Sequence, residues 1–322
     1  MYHAVKYSGQ NLRDNELDNS TPICWLRPID SRALSESLKL LFNITQYYSN
    51  KVIQFTRTIP YIITILLRTY LESQPLQPPV NHLINALLNL DIPGEATLDD
   101  ESKPSTPLFP ASNPACCIQR LTSILQSALR NSKEEALETT AVPLVTLLRR
   151  INEIAPPTVR RAMQEELLPS SKERDQPLGK SDTFASHVLH LSTSAVAPNL
   201  KEGISSLLFE LSDKDPANFV RNVGYGFAAG FLMTHNFPMP ERTLNDAGEE
   251  VTNVDGQEIN PITGQRRDKE LRDPGPEMTD EEKEREAERL FVLFERLRAT
   301  GVVNVMNPVE QAVREGKLEE VD

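Results

Sequence analysis

The chain has 322 residues, which is long enough for one large or two medium domains with a buried core. It carries 34 Lys and Arg against 46 Asp and Glu, a formal net charge of -12. This balance disfavours nucleic acid as a partner, because nucleic-acid binding depends on neutralising phosphates, and favours a basic surface on another protein. Three cysteines without CxxC spacing, Cys24, Cys116 and Cys117, are typical of reduced thiols.

No segment of the sequence predicts a membrane span or a secretory signal. The most apolar run, from Ile59 to Leu71, is shorter than a bilayer requires and contains Arg68. The first residues lack the apolar core of a signal peptide. We therefore expect a monomeric cytoplasmic protein with no cofactor.

Helical spacing of apolar residues begins after an irregular segment, residues 1–32. Leu34, Leu38, Leu41 and Phe42 place one apolar stripe on a helix from Ala33 to Tyr48. Residues 91–114 contain prolines, serines and carboxylates without a periodic apolar face, so they predict a mobile loop. The other helices before this loop are predicted at Ile59–Tyr70 and Val80–Leu90.

Six more helices are predicted between the loop and residue 236, with short Pro-marked turns between them and no alternating strands. This organisation favours an all-α armadillo-like or HEAT-like helical solenoid over residues 33–236. An irregular helical bundle fits the same pattern, since no sequence repeat is evident. The predicted helices are Ala115–Leu129, Ala136–Ile154, Thr158–Leu168, Phe184–Leu191, Leu200–Leu211 and Asp215–Met233.

The array is followed by two further predicted segments and a tail, residues 301–322. Residues 237–279 are rich in Pro, Gly and acidic residues and predict an extended strap. Residues 280–300 predict an amphipathic helix, because Thr279 and Glu282 have the spacing of a capping box. Its apolar stripe indicates docking either on the array or on a partner; the stripe contains Ala287, Leu290, Phe291, Phe294 and Leu297.

Motifs for reaction chemistry are weak throughout. His187 and His190 lie one helical turn apart, but no further ligand stands at metal-site spacing, so we predict no metal. The glycines of Gly224 to Gly230 follow a helical stretch and not a strand, which argues against a dinucleotide fingerprint. We expect these small residues to let helices approach closely, and we expect no catalytic residues.

Two pairs of basic residues fall on neighbouring predicted helices. Arg149 with Arg150 and Arg160 with Arg161 flank a Pro-Pro turn. They can line one groove that receives acidic groups of a partner. Solvated helix faces with local ion pairs explain them equally well.

Several sequence segments, in the same order, resemble those of synembryns, the exchange factors and chaperones of heterotrimeric G-protein α subunits (Gα). The most specific are FVRNVGYGFAAGFL, INPITGQ and MTDEEKEREAERLFVLFERL, and the resemblance extends over nearly all the chain from Ala33. The form is similar to fungal members of the family. The other matching segments are ALSESLKLLFNIT and PLVTLLRRINEIAPPTVRRAMQEELLP.

The resemblance implies an armadillo-type array that holds the C-terminal helix of Gα, with the strap and the last helix reaching its nucleotide-binding domain. Exchange then follows from preferential binding of nucleotide-free Gα and needs no reaction chemistry. Recruitment to the cell cortex would follow through Gα. By resemblance, Asn260, Pro261, Thr263 and Gly264 fix the strap, whereas Leu290, Phe291, Phe294, Leu297 and the four arginines contact the partner.

The sequence departs from the family in one respect. Synembryns carry further helical repeats before the point matched by Ala33, so part of the groove is expected to be missing here. A shortened scaffold that binds Gα or another protein without exchange is therefore the alternative function. Thr243 and Thr252, each with Asp at the third following position, weakly match the acidic phosphorylation sites of animal members.

Overall fold

The computed structural model is all-α in the residues it describes, and no helix among them is long and apolar enough to cross a membrane. Two units divide at Glu270. The first contains the helical array. The described residues are 28–92, 106–238, 256, 258–260, 262–270, 279, 282–283, 285–290 and 292.

Twelve α-helices lie in the described part of the first unit. Six of them begin with proline at one of their first two positions, where the missing N–H is not needed and the fixed φ suits a helix. In chain order they are α1 Pro28–Tyr47, α2 Val52–Phe55, α3 Ile59–Arg68, α4 Val80–Asn89, α5 Cys116–Asn131, α6 Glu134–Thr140, α7 Val142–Ile154, α8 Pro157–Leu167, α9 Phe184–Leu191, α10 Pro198–Leu211, α11 Pro216–Val223 and α12 Tyr225–Thr234.

Every third helix from α1 onward belongs to one row. Helices α1, α4, α7 and α10 contact one another in succession and form a row, which we call the central row. Helices α3, α5 and α8 form a second row of successive neighbours. The units α5–α6–α7 and α8–α9–α10 are thus three-helix repeats, as in armadillo arrays, which confirms the predicted solenoid over an irregular bundle.

The core runs between these rows without interruption. Leu87, Leu121, Leu148 and Ile204 are almost completely buried and belong to one continuous apolar cluster. At the α10–α12 end, Phe209 packs edge-on against Phe219, with ring centroids 5.5 Å apart. Each helix is stable mainly because one face is buried in this cluster.

Helix ends in the array are tied to neighbouring helices by charged side chains. Arg120 donates to the carbonyls of Leu66 and Thr69 at the end of α3. Glu138 accepts from the backbone N–H groups of Asn199 and Leu200, 3.0 and 3.1 Å away, at the start of α10. Cations at C-termini and carboxylates at N-termini complement the helix dipole, so these contacts stabilise the stacking of successive repeats.

Two predicted helices are split in the structure. The helix predicted from Ala136 to Ile154 is broken at Ala141, because Pro143 lacks the N–H that would bond four residues back and so begins a new helix. The helix predicted from Asp215 to Met233 is broken at Gly224, whose φ is +81°. The first helix also begins at Pro28, earlier than predicted.

The loop predicted at 91–114 has a buried part. Leu108 and Phe109 belong to the apolar cluster and are 1% and 7% exposed. Residues 93–105 lie outside the described part of the chain, as do the tail and most of residues 1–32. The domain boundaries stay predictions.

The described part of the second unit belongs to the predicted last helix. Residues 282–283, 285–290 and 292 are helical. The backbone N–H of Thr279 donates to Glu282 Oε2 over 3.0 Å, which confirms the carboxylate half of the capping box. On the same helix, Glu286 and Arg289 form an ion pair at 3.9 Å.

Candidate functional site: the strap turn and the central row

Residues 258–260 and 262–270 form a compact turn within the first unit, which we call the strap turn. An isolated antiparallel bridge joins Ile259 to Arg266. Asn260 closes the turn with both backbone groups: its N–H donates to Gln265 O over 2.7 Å, and its carbonyl accepts from Gly264 N at 2.8 Å. Its side-chain oxygen accepts from the Ile262 N–H over 2.9 Å. This Asx arrangement closes the turn with hydrogen bonds between neighbouring residues.

The strap turn is hydrogen-bonded to two segments of the array. The carbonyl of Thr263 accepts from the Leu178 N–H over 3.0 Å, in the connection between α8 and α9. The carbonyl of Ile262 accepts from the Gly226 N–H over 3.3 Å, in the first turn of α12. Because helix N-termini have unpaired N–H groups, the second bond satisfies a donor that α12 itself leaves free.

Arg174 is the central residue of this attachment. Arg174 is 4% exposed, and its guanidinium donates to Gly264 O over 3.0 Å. It also donates to the carbonyls of Arg221 and Asn222, 3.2 and 2.7 Å away, at the C-terminal end of α11. One buried cation thus holds the strap turn against the negative end of a helix.

Two glycines permit the close approach of the strap turn to the array. Gly264 has φ +67°, and a Cβ there would lie 2.4 Å from Leu178 Cδ1. A Cβ on Gly224 would lie 3.3 Å from the Gly264 nitrogen and from the Ile262 carbonyl oxygen. Gly224 and Gly226 therefore admit the backbone of the strap turn, whereas a Cβ on Gly230 would meet no atom within 4 Å. At these two positions the close approach is made by the strap turn and not, as predicted, by a helix.

Three of the four predicted strap residues, Asn260, Thr263 and Gly264, meet in this turn and make contacts within the chain. Pro261 lies outside the described residues. The side chain of Ile262, which was not predicted, is 65% exposed at the tip of the turn. Contact of these residues with a partner stays a prediction.

Three of the four predicted arginines form hydrogen bonds to a neighbouring helix. Arg149 on α7 pairs with Glu210 on α10, at 2.6 Å, and hydrogen bonds to that carboxylate raise the pKa of Arg149. Arg150 donates to Leu88 O at the end of α4 over 2.6 Å. Arg160 donates to the carbonyl of Asn152. These three connect neighbouring helices, so a role at a partner would come in addition to an internal one.

Like Arg160, Arg161 is exposed. It lies at the edge of a cavity of about 760 Å³ between α8, the connection that follows it, and α11. Arg221 and Arg174 line the same cavity, with Glu165 and Asp213. The cavity presents both charges and therefore fits a polar surface better than an apolar one.

Of the predicted apolar stripe of the last helix, the structure describes Ala287, which is exposed, and Leu290, which is 43% exposed. Val292 is 50% exposed. Phe291, Phe294 and Leu297 lie outside the described residues, as do Thr243 and Thr252. Their proposed roles stay predictions.

His187, His190 and Cys117 make contacts within the chain and do not form a metal or reactive site among the described residues. His187 Nε2 lies 3.1 Å from Asp182 Oδ1, and His190 contacts the carbonyl of Gly179. No group of three metal-ligating side chains occurs among the described residues. Burial raises the pKa of the Cys117 thiol to about 12, so this thiol stays protonated and unreactive at neutral pH.

Neither the buried role of Arg174 nor the contacts of the glycines with the strap turn were predicted from the sequence. Arg174 lies in a polar connection, SSKERDQPLG, where an arginine is expected to be solvated. Its partners are carbonyls 47 to 90 residues away in sequence. The available signal was the Gly-Tyr-Gly sequence, because a glycine within helical spacing often marks the close approach of another backbone.

The array and its attached strap turn define an all-α helical-repeat protein whose candidate sites are surfaces between helices. The family model described as guanine nucleotide exchange factor synembryn matches residues 4–317. The chain therefore belongs to the synembryn, or Ric8, family.

Curated relatives agree with this assignment. A synembryn-like chaperone of Schizosaccharomyces pombe is 30% identical over 308 residues, which cover 89% of this chain and 56% of the relative. Chaperone Ric-8A of Xenopus tropicalis is 24% identical over 307 residues, covering 91% of this chain and 55% of that protein. Chaperone Ric-8 of Drosophila pseudoobscura pseudoobscura is 25% identical over 303 residues, covering 84% and 53%. The chain spans about half the length of the relatives it matches.

Proposed function

We propose that this chain binds a heterotrimeric G-protein α subunit and acts as its guanine-nucleotide exchange factor and folding chaperone. The observation that carries the proposal is the family match over residues 4–317. The names of the relatives add the chaperone role. The helical array supports it because stacked repeats offer long surfaces for a protein partner.

The proposed mechanism is differential binding and involves no covalent chemistry. Exchange requires the chain to bind nucleotide-free Gα more tightly than GDP-bound Gα, so that GDP is released and GTP can enter. The central row is proposed to contact the C-terminal helix of Gα, and the last helix its nucleotide-binding domain. A chaperone role needs the same preference for an incompletely closed Gα.

Release of a fluorescent GDP analogue from a purified cognate Gα, with and without this chain, tests the exchange activity. We expect the release rate to rise with the concentration of the chain and to saturate. An unchanged rate, together with no complex on size-exclusion chromatography, would refute the proposal. The chaperone role is tested separately by the yield of trypsin-resistant Gα from cell-free translation.

A second candidate is a scaffold that binds Gα without promoting exchange. Binding and exchange are separable, because a surface that does not distinguish GDP-bound from nucleotide-free Gα shifts no equilibrium between them. This candidate predicts a stable complex with GDP-bound Gα and an unchanged release rate. The two measurements above separate the candidates directly.

A further inference from the structure

A polar cavity of about 440 Å³ lies where the C-terminal ends of α7 and α10 meet α8. Its volume falls within the range of pockets that hold a ligand group. Two of its lining side chains, Asn152 and Glu210, come from consecutive helices of the central row. Both are buried, and both keep hydrogen-bonding groups without a partner.

Asn152 is 8% exposed. No described residue hydrogen-bonds to its side-chain amide; only its backbone carbonyl accepts, from Arg160 at 3.1 Å. By contrast, the amide of Asn222 donates to Ser212 Oγ over 2.9 Å. The Asn152 amide lines the cavity and is therefore free to bond with a group that enters it.

Glu210 shows the same feature on the facing helix. Its side chain is 9% exposed, and Arg149 donates twice to Oε1, over 3.0 and 2.6 Å. Oε2 is buried and has no hydrogen-bond partner among the described residues. A carboxylate accepts several hydrogen bonds, so about half of its capacity is unused. Its terminal torsion is broad, so a small rotation presents Oε2 to a donor.

The remaining lining adds acceptors rather than donors. Gln164 uses its amide N–H on Leu211 O over 2.8 Å, which leaves its side-chain oxygen as an acceptor. Glu153 and Asp213 contribute carboxylates. Of the two cations, Arg160 already donates to backbone carbonyls, and Lys214 lies in the exposed turn after α10. Three carboxylates thus stand against two cations in this lining, which favours a cationic group as the occupant.

We propose that this cavity receives the guanidinium group of an arginine side chain from a bound polypeptide. A guanidinium offers five N–H donors in one plane, enough to pair with Glu210 Oε2 and the amide oxygens of Asn152 and Gln164 together. The formal net charge of -12 favours approach of a basic segment. The site does not require that the partner be a G-protein α subunit.

Titration of the ¹⁵N-labelled chain with the peptide acetyl-Gly-Arg-Gly-amide tests the proposal. We expect saturable shifts of the side-chain amide signals of Asn152 and Gln164. The matching citrulline peptide has the same shape without the charge, and we expect it to bind about tenfold more weakly, since hydrogen bonds to charged groups are the stronger ones. Absence of saturable shifts with the arginine peptide, or equal binding of citrulline, would overturn it.

Variants separate recognition from stability. Asn152→Leu removes an unpaired buried amide, so we expect it to abolish arginine-peptide binding without lowering the melting temperature. Glu210→Gln should weaken binding about tenfold, whereas Glu166→Gln, an exposed neighbour on α8 outside the cavity, should bind as the unchanged chain does. Unchanged peptide binding by Asn152→Leu would exclude the site. The assay contains no G protein, so its result is independent of the GDP-release experiment.

Discussion

The strap turn and the last helix differ in how their sequence signals relate to their contacts. The last helix has a strong local pattern, with a capping box and charge pairs, yet its described side chains Leu290 and Val292 are about half exposed. The strap turn has almost no periodic pattern, yet Ile259 is 1% exposed and Gly264 approaches Leu178 closely. A strong local pattern thus predicts that an element forms, whereas attachment depends on distant partners.

Substitution of Arg174 should lower the stability of the chain more than any other substitution described here. Arg174→Met leaves the carbonyls of Gly264, Arg221 and Asn222 without their donor, which we expect to cost about 3 kcal/mol of unfolding free energy. Chemical denaturation measures the loss. The exposed Arg267→Met is the control, and equal destabilisation by both would contradict the role assigned to Arg174.

Substitution of Gly264 should have the next largest effect. Gly264→Ala introduces a methyl group 2.4 Å from Leu178 Cδ1 at φ +67°, so we expect a loss of about 2 kcal/mol and faster hydrogen exchange of the Leu178 N–H. Gly256→Ala is a matched control, because Gly256 also has positive φ, +76°, but its Cβ would meet no atom within 4 Å. If both variants lose the same stability, the close contact with Leu178 is unimportant.

The apolar stripe of the last helix is tested by binding rather than stability. If the proposed function holds, Phe291→Ala combined with Phe294→Ala should weaken Gα binding at least about tenfold, as expected for two aromatic anchors, and leave the melting temperature nearly unchanged. Glu288→Ala, at an exposed position of the same helix, is the control. A large drop in melting temperature with intact binding would show that the stripe docks on the chain itself.

The smallest effect is expected at the start of the last helix. Glu282→Ala removes the acceptor of the Thr279 N–H, which should cost about 0.5–1 kcal/mol of local helix stability. Hydrogen exchange in residues 282–290 should quicken while exchange in α7 and α10 stays constant. Faster exchange in α7 would show that the first helical turn also affects the array.

The array shows which kinds of prediction succeed. Val80–Leu90 was predicted and Val80–Asn89 is observed, because Pro78-Pro79 and the apolar stripe are local signals. The split at Gly224 was missed. Gly224 has φ +81° and lies against the strap turn, whose sequence is some 40 residues further on. Arg149, Arg150 and Arg160 were predicted either to contact a partner or to form local ion pairs, and their carbonyl and carboxylate partners in this chain became evident only from the packing.

The sequence by itself determined the all-α class, most helix positions, the capping box and, through ordered motifs, the family. These depend on contacts within a few residues or on similarity, and both are readable along the chain. The tertiary structure alone decided that α1, α4, α7 and α10 form one row, that Arg174 holds the strap turn, and that Asn152 and Glu210 face one cavity. These features join residues far apart in sequence, and no local propensity encodes such distances.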